Sequence, residues 1–172
     1  MLMVPDYLQF RLTGKKAQEY TEATTGQLID PNTKDWDYEL IDMLGFPRRI
    51  FQEVHKPGTV LGNLKPEIAA EVGFDLEVMQ IGSHDTASAV LAVPANDDDF
   101  MYISSGTWSL MGVESKEANC SMESRAANFT NEGGYNYRFR FLKNIMGLWM
   151  IQSVRHETGD AYSFAQICDM AE

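Results

Sequence analysis

Gly82-Ser83-His84-Asp85-Thr86 follows the apolar run of residues 78–81, and Ile103-Ser104-Ser105-Gly106-Thr107-Trp108-Ser109 stands about twenty residues on. These two stretches decide the reading of the fold. The first places a carboxylate at the carboxyl end of a short buried strand, where open α/β sheets gather their ligands. The second is a Gly-centred turn between two strands, whose backbone amides can face a phosphate. A base and a phosphate-facing turn at short separation suit phosphoryl transfer to a hydroxyl.

Ser83-His84-Asp85 does not read as a hydrolase triad. Adjacent residues of an extended chain point in opposite directions, whereas triad members converge from separate parts of a fold. Asp85 reads as a lone general base, with His84 and Thr86 able to hydrogen-bond a polyol. The alternative is an aspartate that caps the following helix. The turn at 105–107 stays open between a phosphate loop and an ordinary hairpin. Neither a Walker-type loop nor a dinucleotide-binding glycine pattern is present.

Around this centre the chain divides in two. Residues 4–13 read as a short helix, with Pro5 in the first turn, Asp6 favourable at its positive end and Gly14 as the stop. Residues 15–35 are polar and turn-rich, with a break at Asp30-Pro31-Asn32. A second helix is expected over 36–44, presenting Trp36, Leu40, Met43 and Leu44 on one face and ended by Gly45. A short helix starts at Pro47, an extended loop covers 55–64, and a small helix covers 66–72 before Gly73. Residues 86–93 are small and apolar and read as a tightly packed helix. Pro94 and the aspartates 97–99 mark the internal boundary, and the aspartate run reads as a solvated loop.

Beyond the boundary the period changes to two. Residues 100–104 and 108–113 are hairpin strands, and 114–130 look irregular. After Gly133-Gly134, Tyr135, Tyr137, Phe139 and Phe141 alternate with Asn136, Arg138 and Arg140, a strand with one aromatic and one polar face. Residues 144–157 read as an amphipathic helix. On it Asn144 and Gln152 lie eight positions apart, about 12 Å of rise and about 80° of rotation, so both can line one cleft. The alternative is ordinary polarity on a helix surface.

A chain of 172 residues with 44% apolar composition can pack a core. The formal charge of −11 argues against nucleic acid and against an anionic membrane surface. A nest of backbone amides can still hold a nucleotide phosphate on an acidic protein. Cys120 and Cys168 have no metal-ligand spacing and read as free thiols in a reducing, cytoplasmic setting.

The strings PDYLQFRLTG (5–14), EYTEATTGQLID (19–30), GSHDTASAV (82–90), YISSGTWSLMGVE (102–114), NFTNEGG (128–134) and RFRFLKNIMGLWMIQSV (138–154) together carry a resemblance. The chain resembles the middle of an FGGY carbohydrate kinase of the actin-like ATPase superfamily, and within that family its rhamnulokinase branch. The resemblance implies an α/β chain with a partial actin-like ATPase (ribonuclease H-like) fold. It assigns 1–94 to the end of the sugar-binding domain and 95–172 to the start of the nucleotide-binding domain. It implies ATP-dependent phosphorylation of L-rhamnulose to L-rhamnulose 1-phosphate. Asp85 matches the catalytic base, His84, Thr86 and Asn144 match sugar contacts, and Thr107 and Gln152 match ATP contacts. Mg2+ is expected to be held mainly by family segments outside this stretch, as are the Asp-Gly phosphate loop and the adenosine segment. The isolated chain is therefore expected to show little or no turnover, and to self-associate through faces the rest of the family fold covers. Another FGGY ketose kinase, of fuculokinase or xylulokinase type, and a non-catalytic truncated product are the alternatives.

Overall fold

The computed structural model describes residues 1–97, 99–106 and 108–171. The first part of the chain runs α1 (Val4–Thr13), β1 (Gln18–Glu19), α2 (Tyr20–Ala23), α3 (Tyr38–Met43), β2 (Val54–His55), β3 (Val60–Asn63), α4 (Pro66–Val72), β4 (Glu77–Met79) and α5 (Asp85–Leu91). The second part runs β5 (Met101–Ser105), β6 (Ser109–Ser115), α6 (Met122–Ala126), β7 (Thr130–Gly133), β8 (Phe139–Ile145), α7 (Leu148–Glu157) and α8 (Phe164–Ala171).

Helices α1 and α4 form where the sequence predicts them, each with Pro in its first turn and a left-handed Gly closing it, Gly14 at φ 75° and Gly73 at φ 85°. Segment 15–35 is not merely turn-rich. It supplies β1, paired in parallel with β2, and α2, and it contains Gln18, Glu19, Tyr20 and Thr21, all fully buried. Glu19 and Thr21 go inside here because they satisfy each other and nearby backbone amides, as described below. Within 55–64, β3 pairs antiparallel with β4, so the expected loop is a strand. On α3 the inward residue is Ile41, fully buried, while Met43 and Leu44 are exposed. Trp36 precedes the helix and donates its indole N–H to the Gln52 carbonyl at 2.6 Å. With Ala23 and Phe51, these two residues form the first core.

The second part is a four-stranded antiparallel sheet in the order β5-β6-β8-β7. Its core is Tyr102 and Leu142 packed on Val90 of α5, so the helix that follows Asp85 is seated on this sheet. The expected strand from 135 starts later. Residues 135–137 form a 3-10 turn with Asn136 and Tyr137 at positive φ, and pairing begins at Gly133↔Phe139. Gly133 is required by close approach, because a Cβ there would lie 2.7 Å from the Tyr20 ring and 2.8 Å from the Thr24 methyl. Tyr20 also meets Tyr137 edge-on at 4.9 Å between ring centroids.

Other apolar surface stays open. Met101 and Ile103 on β5 and Trp108 beyond it are exposed, as are most large side chains of α7 and α8. Both thiols are free and exposed. Among the described residues, no helix is long and apolar enough to cross a membrane.

Candidate active site

The loop from Gly82 to Asp85 is fixed from below by the buried polar segment. Glu19 is fully buried, and its carboxylate accepts the backbone N–H groups of Thr21 at 2.9 Å and Ser83 at 3.0 Å. The Thr21 hydroxyl donates to the same carboxylate and accepts the His84 backbone N–H at 3.3 Å. Beneath these, Asp6 accepts the Glu19 backbone N–H at 2.9 Å and the Gln18 amide at 2.8 Å. Burial pushes the Asp6 carboxyl up to about 6, and the Glu19 carboxylate adds to the rise against the backbone N–H groups that lower it.

His84 is the N-cap of α5. Its Nδ1 accepts the Thr86 backbone N–H at 3.2 Å, which requires a lone pair there. Nδ1 also lies 3.4 Å from Asp85 Oδ1, and Nε2 lies 3.8 Å from a Glu132 carboxylate oxygen. Because His84 holds the cap, Asp85 is the first helical residue and not the cap. Its Oδ1 accepts the Thr86 N–H at 2.6 Å and the Thr86 hydroxyl at 3.3 Å. Its side chain is otherwise 98% exposed. It opens onto a groove of about 450 Å³ shared with Pro5, Glu22, Thr25, Ser83 and His84. Such a carboxylate can take a proton from a hydroxyl bound in that groove. Thr86 is nearly buried and turns its hydroxyl to Asp85.

Behind His84 stands a pair that the sequence reading passes over. Arg140, fully buried, has Nη2 3.0 Å from Glu132 and donates from Nε to the Gly133 carbonyl at 3.3 Å. Desolvation pulls its guanidinium pKa down, while Glu132, Tyr102 and Asp85 pull it up. On the expected polar face of this strand, Arg140 is thus held in an interior ion pair. An Arg flanked by phenylalanines on a strand is the only signal the sequence offers for it.

Asn144 and Gln152 do not share a helix. Asn144 lies on β8 opposite Leu110, because pairing with β6 keeps the strand extended as far as Ile145↔Ser109. Helix α7 begins after Gly147, which packs so tightly that a Cβ would lie 2.4 Å from the Gly106 carbonyl oxygen. The Leu148 N–H donates to that same carbonyl at 3.2 Å. Asn144 therefore sits at the hairpin end of the sheet, next to the start of α7. Gln152 lines an apolar cleft of about 360 Å³ with Leu148, Ile151, Phe164 and Cys168. Thr107 lies outside the described residues. The structure brings His84, Asp85 and Thr86 together. Arg140, which pairs with the Glu132 beside His84, stands four residues along β8 from Asn144, roughly 13 Å of extended strand. Among the described residues no group of three acidic, His or Cys side chains gathers to hold a metal ion.

The N-terminal domain of the FGGY family of carbohydrate kinases matches residues 1–92, and its C-terminal domain matches residues 101–171. The chain belongs to this family. Among FGGY relatives, the rhamnulokinase of Halalkalibacterium halodurans is 57% identical over 171 residues, which are 99% of this chain and 36% of that protein. The rhamnulokinase of Enterococcus faecalis is 46% identical over 175 residues, covering 100% of this chain and 35% of that protein. The chain thus spans about a third of the length of the curated relatives it matches. Among solved structures, a ligand-bound xylulose kinase from Lactobacillus acidophilus superposes with a TM-score of 0.76 at 21% identity, over 90% of this chain and 31% of that one. A gluconate kinase from the same organism gives 0.73 at 21% identity, over 87% of this chain and 30% of that one. At that identity the likeness is one of fold. This FGGY chain carries part of the actin-like ATPase fold of these sugar kinases.

Proposed function

We propose that the chain contributes the base and the hairpin of a sugar-kinase site that phosphorylates L-rhamnulose with ATP. Its two parts would belong to the sugar-binding and nucleotide-binding domains, meeting near residue 94. The observation that carries this reading is Asp85, an exposed carboxylate on a pinned loop at the edge of a groove. The choice of rhamnulose rests on identity to rhamnulokinases near one half along nearly the whole chain, against about one fifth for the xylulose and gluconate kinases.

In this reading the sugar lies in the groove with its terminal hydroxyl at Asp85. The carboxylate accepts the hydroxyl proton as the oxygen attacks the γ-phosphorus of ATP. The bond from that phosphorus to the bridging oxygen breaks, and ADP and L-rhamnulose 1-phosphate leave. Thr86 orients the carboxylate through Oδ1, His84 and Asn144 contact the sugar, and Thr107 and Gln152 contact ATP. Magnesium would accompany ATP. Phosphoryl transfer depends on several groups acting in register. The 172 residues alone are therefore expected to turn over little or nothing, and to self-associate through their open apolar faces.

The test is phosphorylation of L-rhamnulose by a complete kinase containing these residues, beside Asp85→Asn. The variant should lose roughly 10²–10⁴-fold in kcat, the usual contribution of a general base, with its KM for rhamnulose little changed. L-Fuculose and D-xylulose turned over as fast as rhamnulose would overturn the substrate assignment. An active Asp85→Asn would overturn the role of the base.

A further inference from the structure

Asp85 has little of its own to hold it. Its side chain is 98% exposed, and its contacts run only to its chain neighbours among the described residues: hydrogen bonds from Thr86, and an approach of Oδ1 to His84 Nδ1 at 3.4 Å. The position of its carboxylate therefore depends on the backbone that delivers it, residues 82–84. Two of the amides in that loop end on one buried polar unit more than sixty residues earlier in the chain: Ser83 on the Glu19 carboxylate, and His84 on the Thr21 hydroxyl. Thr21 is at once donor to Glu19 and acceptor from His84, so the two contacts form a single connected unit. Glu19 is itself locked by the N–H groups of Thr21 and Glu22 at the start of α2. The loop is anchored a second time by the Ser88 hydroxyl, which donates to the Gly82 carbonyl.

A fully buried carboxylate satisfied by backbone amides and a hydroxyl is an expensive way to hold a loop that only connects a strand to a helix, since apolar packing does the same without desolvating a charge. It is a suitable way to fix a backbone to within a fraction of an ångström, as reacting groups require. We infer that Glu19 and Thr21 are positioning residues for Asp85, setting the start of α5 and with it the place of the carboxylate. The inference rests on the reading of Asp85 as the base. Neither residue touches the reacting atoms.

The test separates positioning from bulk stability by residue-resolved amide hydrogen exchange on the 172-residue chain. Thr21→Val keeps the shape and removes the hydroxyl, while Thr21→Ser restores it. Thr21→Val should speed exchange at Ser83 and His84 by about tenfold, the loss of roughly one hydrogen bond, with the amides of α1 and of the β6–β8 ladder unchanged. Thr21→Ser should return both amides to within about twofold of the parent. Glu19→Ala is the second variant, and it should speed Ser83 more than His84. Unchanged protection of Ser83 and His84 in either variant overturns the inference. So does acceleration spread evenly over the chain, or a Thr21→Ser as poorly protected as Thr21→Val. The exchange result is independent of turnover. Should Asp85→Asn prove fully active in the complete kinase, the base assignment falls while the exchange pattern still reports whether the loop is pinned.

Discussion

Asp6 offers a sharp test of how the buried polar segment is built. Its carboxyl is 1% exposed and held at about 6 against an ordinary 3.8, by burial first and then by the neighbouring Glu19. The folded state therefore keeps a proton on Asp6 where the unfolded chain has released it. Stability from this group is fully present below the unfolded value and is lost as pH rises through the folded one. Each pH unit of displacement is worth about 1.4 kcal/mol, so the interval from 3.8 to about 6 removes ~3 kcal/mol. Asp6→Asn removes the titration while keeping the shape. The new side-chain oxygen accepts the Glu19 N–H as before, and the new amide faces Gln18, whose Oε1 is buried without a partner and can receive it by rotation of the Gln18 amide. Because Asn stands in for the protonated carboxyl, and the shift already includes the bonds made by the charged form, the variant should be ~3 kcal/mol more stable than the parent near pH 7.5 and about 1 kcal/mol more stable near pH 4.5. Urea unfolding of both proteins across this range reads the difference directly, because all other titrating groups are shared. An Asn variant that is less stable near neutrality, with a difference that does not change with pH, would refute both the direction of the Asp6 shift and the role of burial in it.

Two further outcomes are expected. Arg140→Met leaves Glu132 without its cation inside the fold and should cost about 3 kcal/mol, the low end for a buried pair because Glu132 is partly exposed, whereas adding Glu132→Gln should recover much of it in a double-mutant cycle read by urea unfolding. Ile41→Ala should cost roughly 2–5 kcal/mol by opening the first core, and Met43→Ala should stay within about 0.5 kcal/mol, with melting curves reading both.

The sequence by itself determined the features that local chemistry governs. Helices α1 and α4 follow from Pro at their starts and Gly at their ends, the β5–β6 hairpin follows from its alternation around a Gly turn, and the grouping of His84, Asp85 and Thr86 follows from their adjacency. Family membership was legible in the same way, because it is carried by contiguous strings. Only the tertiary structure decided what polar residues do when their partners lie far away in the chain. Glu19 and Thr21 read as part of a turn-rich stretch until Ser83 and His84 come to bond them, and Arg140 reads only as one residue of a polar strand face until Glu132 pairs with it from the neighbouring strand. Asn144 fits a helical period, yet seven rungs of pairing between β6 and β8 hold it extended. In each case, hydrogen bonds and ion pairs between distant segments outweigh a local preference worth less than about 1 kcal/mol per residue. A sequence window contains no information about such partners.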